Sequence, residues 1–219
     1  MSFAERLAAV HTRIADAARR ANRDAASVRL VAASKTQSVE AVREAVAAGH
    51  ALFGENRAQE LVQKADAVPA EWHFIGHLQT NKVRQVVGRA ALIHGVDSMA
   101  LAEEIARRKG PPVLVQVNTS GEASKSGVDP ADAIRFCAEV AALCELRGLM
   151  TIPAPTEDPE GSRTAFRVLR ELAAEGRARG LATHELSMGM SDDFEVAIEE
   201  GATLVRLGTI LFGPRSSPV

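Results

Sequence analysis

Hydrophobic positions along the chain follow two rhythms. Phe3, Leu7, Val10 and Ile14 recur at spacings of three and four, so the first 25 residues read as a helix with one apolar face. After that, short apolar runs alternate with helical stretches. "VRLVAAS" (28–34) predicts a strand, and "SVEAVREAVAAG" (38–49) a helix capped by Ser38 and stopped by Gly49. "ALFGEN" (51–56) predicts a strand and residues 57–67 a helix. "EWHFIG" (71–76) and "QTNKVRQVVG" (79–88) repeat the pair, as do "ALIHGVD" (91–97) and "SMALAEEIARRKG" (98–110). "PVLVQVN" (112–118) is the clearest strand, followed by a helix over 129–144 with Pro130 at its start. "LRGLMT" (146–151) with 161–180, and "THELSMG" (183–189) with 191–201, continue the alternation. "TLVRLG" (203–208) closes it, and "TILFG" (209–213) follows.

Eight strands, each followed by a helix or a helix-like turn, imply a parallel sheet. With no linker or composition break, they predict one domain over residues 1–219. The expected fold is a single-domain (β/α)8 TIM barrel with an extra N-terminal helix. An open doubly wound sheet is the alternative, but its Gly-x-Gly-x-x-Gly fingerprint is missing after the first strand.

Composition narrows the function. A net charge of −2 over 219 residues argues against nucleic acid as the main partner, because phosphate backbones call for clustered basic residues. No stretch approaches the roughly 20 apolar residues of a membrane span, and the N-terminus does not resemble a signal peptide, so the expected location is cytoplasmic. Cys137 and Cys144 stand seven apart in a helical pattern and read as small buried hydrophobes in a reducing compartment. The chain contains no tyrosine.

In barrels of this kind the chemistry lies at the C-terminal ends of the strands. Those ends carry Lys35, Glu55 with Asn56, His77, Asn118, Met150 with Thr151, Ser187, and finally Arg206, Gly208 and Thr209. The turns "SMGMS" and "RLGTILFG" offer glycines and hydroxyls where such barrels frequently bind phosphate. Lys35 ends strand one, the neighbour of strand eight once the barrel closes. A lysine beside a phosphate site suits a Schiff base with pyridoxal 5′-phosphate (PLP), with partial burial making the amine nucleophilic.

Six segments, "LVAASKT", "FGENRAQEL", "WHFIGHLQTNK", "VQVNTSGEASKSG", "GLMTI" and "LSMGMSDDFEVAIEEGATLVRLGTILFG", together resemble the PLP homeostasis proteins, the YggS/PROSC family. The resemblance runs from about residue 28 to residue 213. It implies a barrel of the alanine racemase N-terminal type with PLP on Lys35. It also implies that Gly208 and Thr209 hold the phosphate, that Ser187 and Ser191 join the phosphate shell, that Asn56 lies near the ring, and that Arg206 faces the pyridine nitrogen. A permanent cation there disfavours protonating the ring and makes it a weak electron sink.

Two functions remain. An amino-acid racemase normally needs two bases. Alanine racemases draw the second, a tyrosine, from another domain, and in this chain His77 is the only nearby candidate. A PLP carrier or buffer, protecting the aldehyde and passing it to apo-enzymes, needs no second base. The missing tyrosine favours the carrier, acting as a monomer or weak dimer. "GEASKSG" (121–127) departs from a Walker loop because Ser124 precedes Lys125 where glycine is required. In the family this segment recurs, with Lys125 as a lid or second cofactor contact. His73 and His77 lack a third metal ligand nearby. "TIPAPTEDPEG" (151–161) is either a loop over the site or a long surface turn.

Overall fold

Eight parallel strands close into a barrel in the computed structural model, which describes residues 1–122 and 125–213. The strands are β1 (Arg29–Ala33), β2 (Leu52–Glu55), β3 (Glu71–Phe74), β4 (Leu92–Val96), β5 (Val113–Gln116), β6 (Leu146–Met150), β7 (Glu185–Ser187) and β8 (Leu204–Leu207). Each pairs with the next, and β8 returns to β1 with Arg206 opposite Val31. The helices are α1 (Phe3–Arg20), α2 (Val39–Ala47), α3 (Ala58–Ala65), α4 (Val83–Val86), α5 (Met99–Arg107), α6 (Ala133–Ala141), α7 (Arg163–Ala178), α8 (Phe194–Glu199) and α9 (Thr209–Phe212). The expected barrel is therefore the observed fold. No described helix is long and apolar enough to cross a membrane.

Side chains on a strand alternate between its two faces, and that alternation creates two cores. Val31 and Ala33 point into the barrel with Ile75, Leu114, Met150 and Leu204. Leu30, Ala32, Val113 and Val115 point outward and join the larger core beneath the helices. Helix α1 starts with a capping box between Ser2 and Glu5. Its apolar face is buried against α8 and α9, with Phe3 at 5.1 Å from Phe212, ring centre to ring centre. Arg13 reaches Glu195 of α8 at 2.7 Å.

Three local expectations need correction. Helix α6 starts at Ala133 rather than at Pro130, because the Asp129 carboxylate accepts the Ala131 N–H and holds a turn ahead of the helix. Cys144, predicted in the same helical stretch as Cys137, then falls beyond the end of α6. The thiol of Cys144 donates to the Ala102 carbonyl instead. The stretch 79–88 folds as a 3₁₀ turn (Thr80–Lys82) followed by the single turn of α4.

Candidate cofactor site

At the C-terminal end of the barrel, where β1 meets β8, lies a cleft of about 260 Å³. This volume is at the small end for sites that hold small molecules. Lys35, Asn56, Ser191, Arg206, Gly208 and Thr209 all line it, so six of the seven residues singled out from sequence are brought together. Asp192 joins them, and Ile152 and Met190 set exposed apolar side chains at its edge.

Lys35 stands two residues past the end of β1, after Ser34. Its side chain is exposed, which corrects the expectation of partial burial. The strand ends at Ala33 and the chain turns at Thr36, a non-glycine residue at φ +65°, so the amine stands in water above the strand. Asn56 follows β2. A Cβ at Gly76 would lie 2.3 Å from the Asn56 carbonyl oxygen, so only glycine permits the backbone approach that seats Asn56 at the cleft. The Asn56 Oδ1 atom is buried and has no hydrogen-bond partner among the described residues. Such an orphaned acceptor is rare and calls for a donor from outside the chain. The backbone amides and hydroxyls of Ser191, half-buried, and Thr209, exposed, also have no partner among the described residues and are open to solvent or a ligand.

Arg206 forms part of the floor. Only 5 % exposed, its guanidinium donates to Ser187 Oγ at 2.6 Å and to the Thr151 carbonyl at 2.9 Å. Burial pulls its pKa down to about 10, which still leaves a cation at neutral pH. Ser187 is the one predicted residue that does not line the cleft. Its side chain points into the barrel, is fully buried, and is already engaged with Arg206 and with His94 Nδ1 at 2.8 Å. The placement of Ser187 thus departs from the phosphate shell expected of it, and Ser191 is the serine at the cleft.

Beneath Arg206 a hydrogen-bonded chain crosses the barrel. His94 Nε2 meets His73 Nδ1 at 2.9 Å, and His73 Nε2 meets Glu71 at 3.0 Å. The Glu71 carboxylate only accepts, so His73 carries its proton on Nε2 and accepts at Nδ1. His94 must then donate from Nε2, and Ser187 must donate to His94 Nδ1. Burial drives His73 down to about 4 despite the pull of Glu71, and drives His94 well below its ordinary value. Both rings are neutral at pH 7. His94 lies inside β4 rather than at its tip, so the strand ends alone do not point to it. Its parity with inward-facing Leu92 was the available signal.

The remaining strand-end residues lie elsewhere. His77 is exposed, with Nδ1 3.7 Å from Asp97, and lines a separate depression rather than the cleft. Glu55 is wholly buried in an ion cluster beneath β1. Asn118 braces its own loop through the carbonyls of Glu122 and Lys125. Lys125 pairs with Glu122 at 3.2 Å, while Ala123 and Ser124 of that loop lie outside the described residues.

The family model described as alanine racemase, N-terminal domain, matches residues 6–216. A pyridoxal phosphate homeostasis protein of Aquifex aeolicus is 46 % identical, covering 98 % of this chain and 99 % of its own. The chain belongs to the alanine racemase N-terminal domain family, on the branch of these homeostasis proteins. A second member of the branch, from Pseudomonas aeruginosa, is 47 % identical over 98 % of this chain and 96 % of its own. Among solved structures, PipY of Synechococcus elongatus with PLP bound superposes with a TM-score of 0.81 at 39 % identity, covering 97 % of this chain and 100 % of that one.

Proposed function

We propose that this protein holds PLP reversibly on Lys35 and acts in cofactor homeostasis, as a carrier or buffer that passes it to apo-enzymes. One observation carries the reading. An exposed amine, a buried cation, and an Asn56 acceptor and two turns of amides that lack partners among the described residues converge on one cleft. These groups fit PLP: a phosphate for the Ser191 and Gly208–Thr209 turns, a ring over Arg206, and an aldehyde toward Lys35. When bound, the cofactor supplies an electrophilic aldehyde carbon. Lys35 would hold the group covalently through that carbon, in an imine linkage that forms with loss of water and no change in oxidation state. Asn56 Oδ1 would accept a hydrogen bond from the group, and the Arg206 cation would disfavour protonation of a ring nitrogen beside it. The homologues named for PLP homeostasis and the PLP-bound PipY support the same reading.

The test is an absorption spectrum with added PLP, before and after borohydride, beside Lys35→Ala. The expected result is a band that borohydride fixes onto the Lys35 peptide and that the variant lacks. A band of equal strength in Lys35→Ala would overturn the assignment.

A further inference from the structure

Lys35 makes no side-chain hydrogen bond to a described residue, yet the backbone on both sides of it is held by charged groups that never reach the cleft. Lys64 of α3 donates to the Ser34 carbonyl at 2.7 Å, just before Lys35. Glu60, one helical turn earlier in α3, accepts the Thr36 N–H at 2.9 Å, just after it. The two are bonded to each other at 3.0 Å, and Lys64 also donates to Glu55 at 2.6 Å. Ser34 Oγ donates to that same Glu55 oxygen at 2.7 Å.

This cluster is a costly way to gain stability. The Lys64 side chain is 3 % exposed and that of Glu55 is 0 %. Desolvation of such a pair can cancel its attraction, and apolar replacements are often neutral or stabilising. Glu55 Oε2 is buried without any partner among the described residues, a further penalty that an apolar packing would avoid. What the cluster does secure is an unfavourable backbone. Thr36 is β-branched and sits at φ +65°, a region such residues rarely occupy unless their surroundings enforce it. Holding Ser34 on one side and Thr36 on the other fixes where the Lys35 Cα–Cβ bond points.

We propose that Lys64, Glu60 and Glu55 are positioning residues for Lys35, clamping the Ser34–Thr36 turn so that its amine faces the cleft. This rests on the Lys35 reading above, and the test separates the two. The full-length protein is titrated with PLP and with pyridoxine 5′-phosphate, an alcohol that keeps the ring and phosphate but cannot condense with an amine. In the wild type PLP should bind more tightly than the alcohol. Equal affinities there would overturn the Lys35 reading and the clamp together. The variants are Glu60→Ala, whose side chain is 20 % exposed, and the double variant Glu55→Gln with Lys64→Met, which leaves no lone buried charge. In both, the preference for PLP over the alcohol should fall about tenfold, which corresponds to ~1.4 kcal/mol. Affinity for the alcohol should not change. An unchanged preference in Glu60→Ala would overturn the clamp, whether or not the double variant folds. A parallel loss of both ligands would also overturn it, by showing a general structural role.

Discussion

Acidification tests the hydrogen-bonded histidine chain in the barrel interior. His73 is 1 % exposed and its pKa in the folded state is about 4, against an ordinary value of 6.5. Between those values the unfolded chain binds a proton that the folded chain refuses. Stability therefore rises with pH across this window and is lost as pH falls from 6.5 toward 4. From pH 7 to pH 5 the unfolded imidazole gains about 2 kcal/mol from protonation while the buried one stays neutral. His94 and His50, also held down by burial, act in the same direction. Glu55 acts oppositely, because burial raises its pKa and a protonated Glu55 favours the folded state as pH falls. Comparing the wild type with His73→Gln cancels these other groups. Glutamine can still accept from His94 and donate toward Glu71. Urea unfolding of the cofactor-free protein at pH 7 and pH 5 should show a loss smaller by about 2 kcal/mol in the variant. Equal losses in the two proteins would mean that His73 is protonated when folded, and would refute the neutral chain.

Three substitutions probe the site itself. Gly76→Ala places a Cβ 2.3 Å from the Asn56 carbonyl, so it should cost about 1–3 kcal/mol in thermal unfolding and weaken PLP binding by displacing Asn56. Asn56→Ala should leave the melting temperature nearly unchanged, since Oδ1 has no described partner to lose, while PLP affinity by titration falls about tenfold. Ser187→Ala strands Arg206 and His94 Nδ1 in the barrel interior, and urea unfolding should show a loss of about 1–3 kcal/mol.

The barrel was legible because its signal is repetition. Each strand is short, apolar and bounded, and each helix has its own period. The cleft was legible for a related reason: a (β/α)8 barrel fixes which strand ends share a face, so Lys35, Arg206 and Thr209 could be brought together from order alone. The groups behind the cleft were not. Ser187 stands at a strand tip, and sequence could not say whether its hydroxyl points up to a ligand or down to His94. That depends on the parity of β7, a strand of three residues. Lys64 and Glu60 stand four apart in the helix predicted over 57–67, a spacing that is ordinary for a solvated charge pair. Their burial depends on how α3 tilts against β1 and β2, and no local pattern records that tilt. The exposure of Lys35 is not legible in the same way, because a strand tip suggests partial burial whereas the turn at Thr36 lifts the residue clear.

That exposure bears on whether the cleft releases its cofactor or uses it. Catalysis by a PLP-type electron sink gains from a protonated ring and from exclusion of water. Here the floor is a guanidinium whose pKa of about 10 keeps it charged at neutral pH, and the amine stands in solvent. Among the described residues, the further titratable group lining the cleft is Asp192, the residue after Ser191. A bound cofactor would be reachable by water and by competing amines, which suits transfer. The PLP-loaded protein should therefore surrender its cofactor to semicarbazide, followed by the loss of its absorption band. It should exchange the Cα proton of L-alanine for deuterium no faster than free PLP. A positioned acid–base group typically contributes at least about 10²-fold. Exchange exceeding free PLP by that factor would overturn the carrier reading and make Asp192 the first residue to replace.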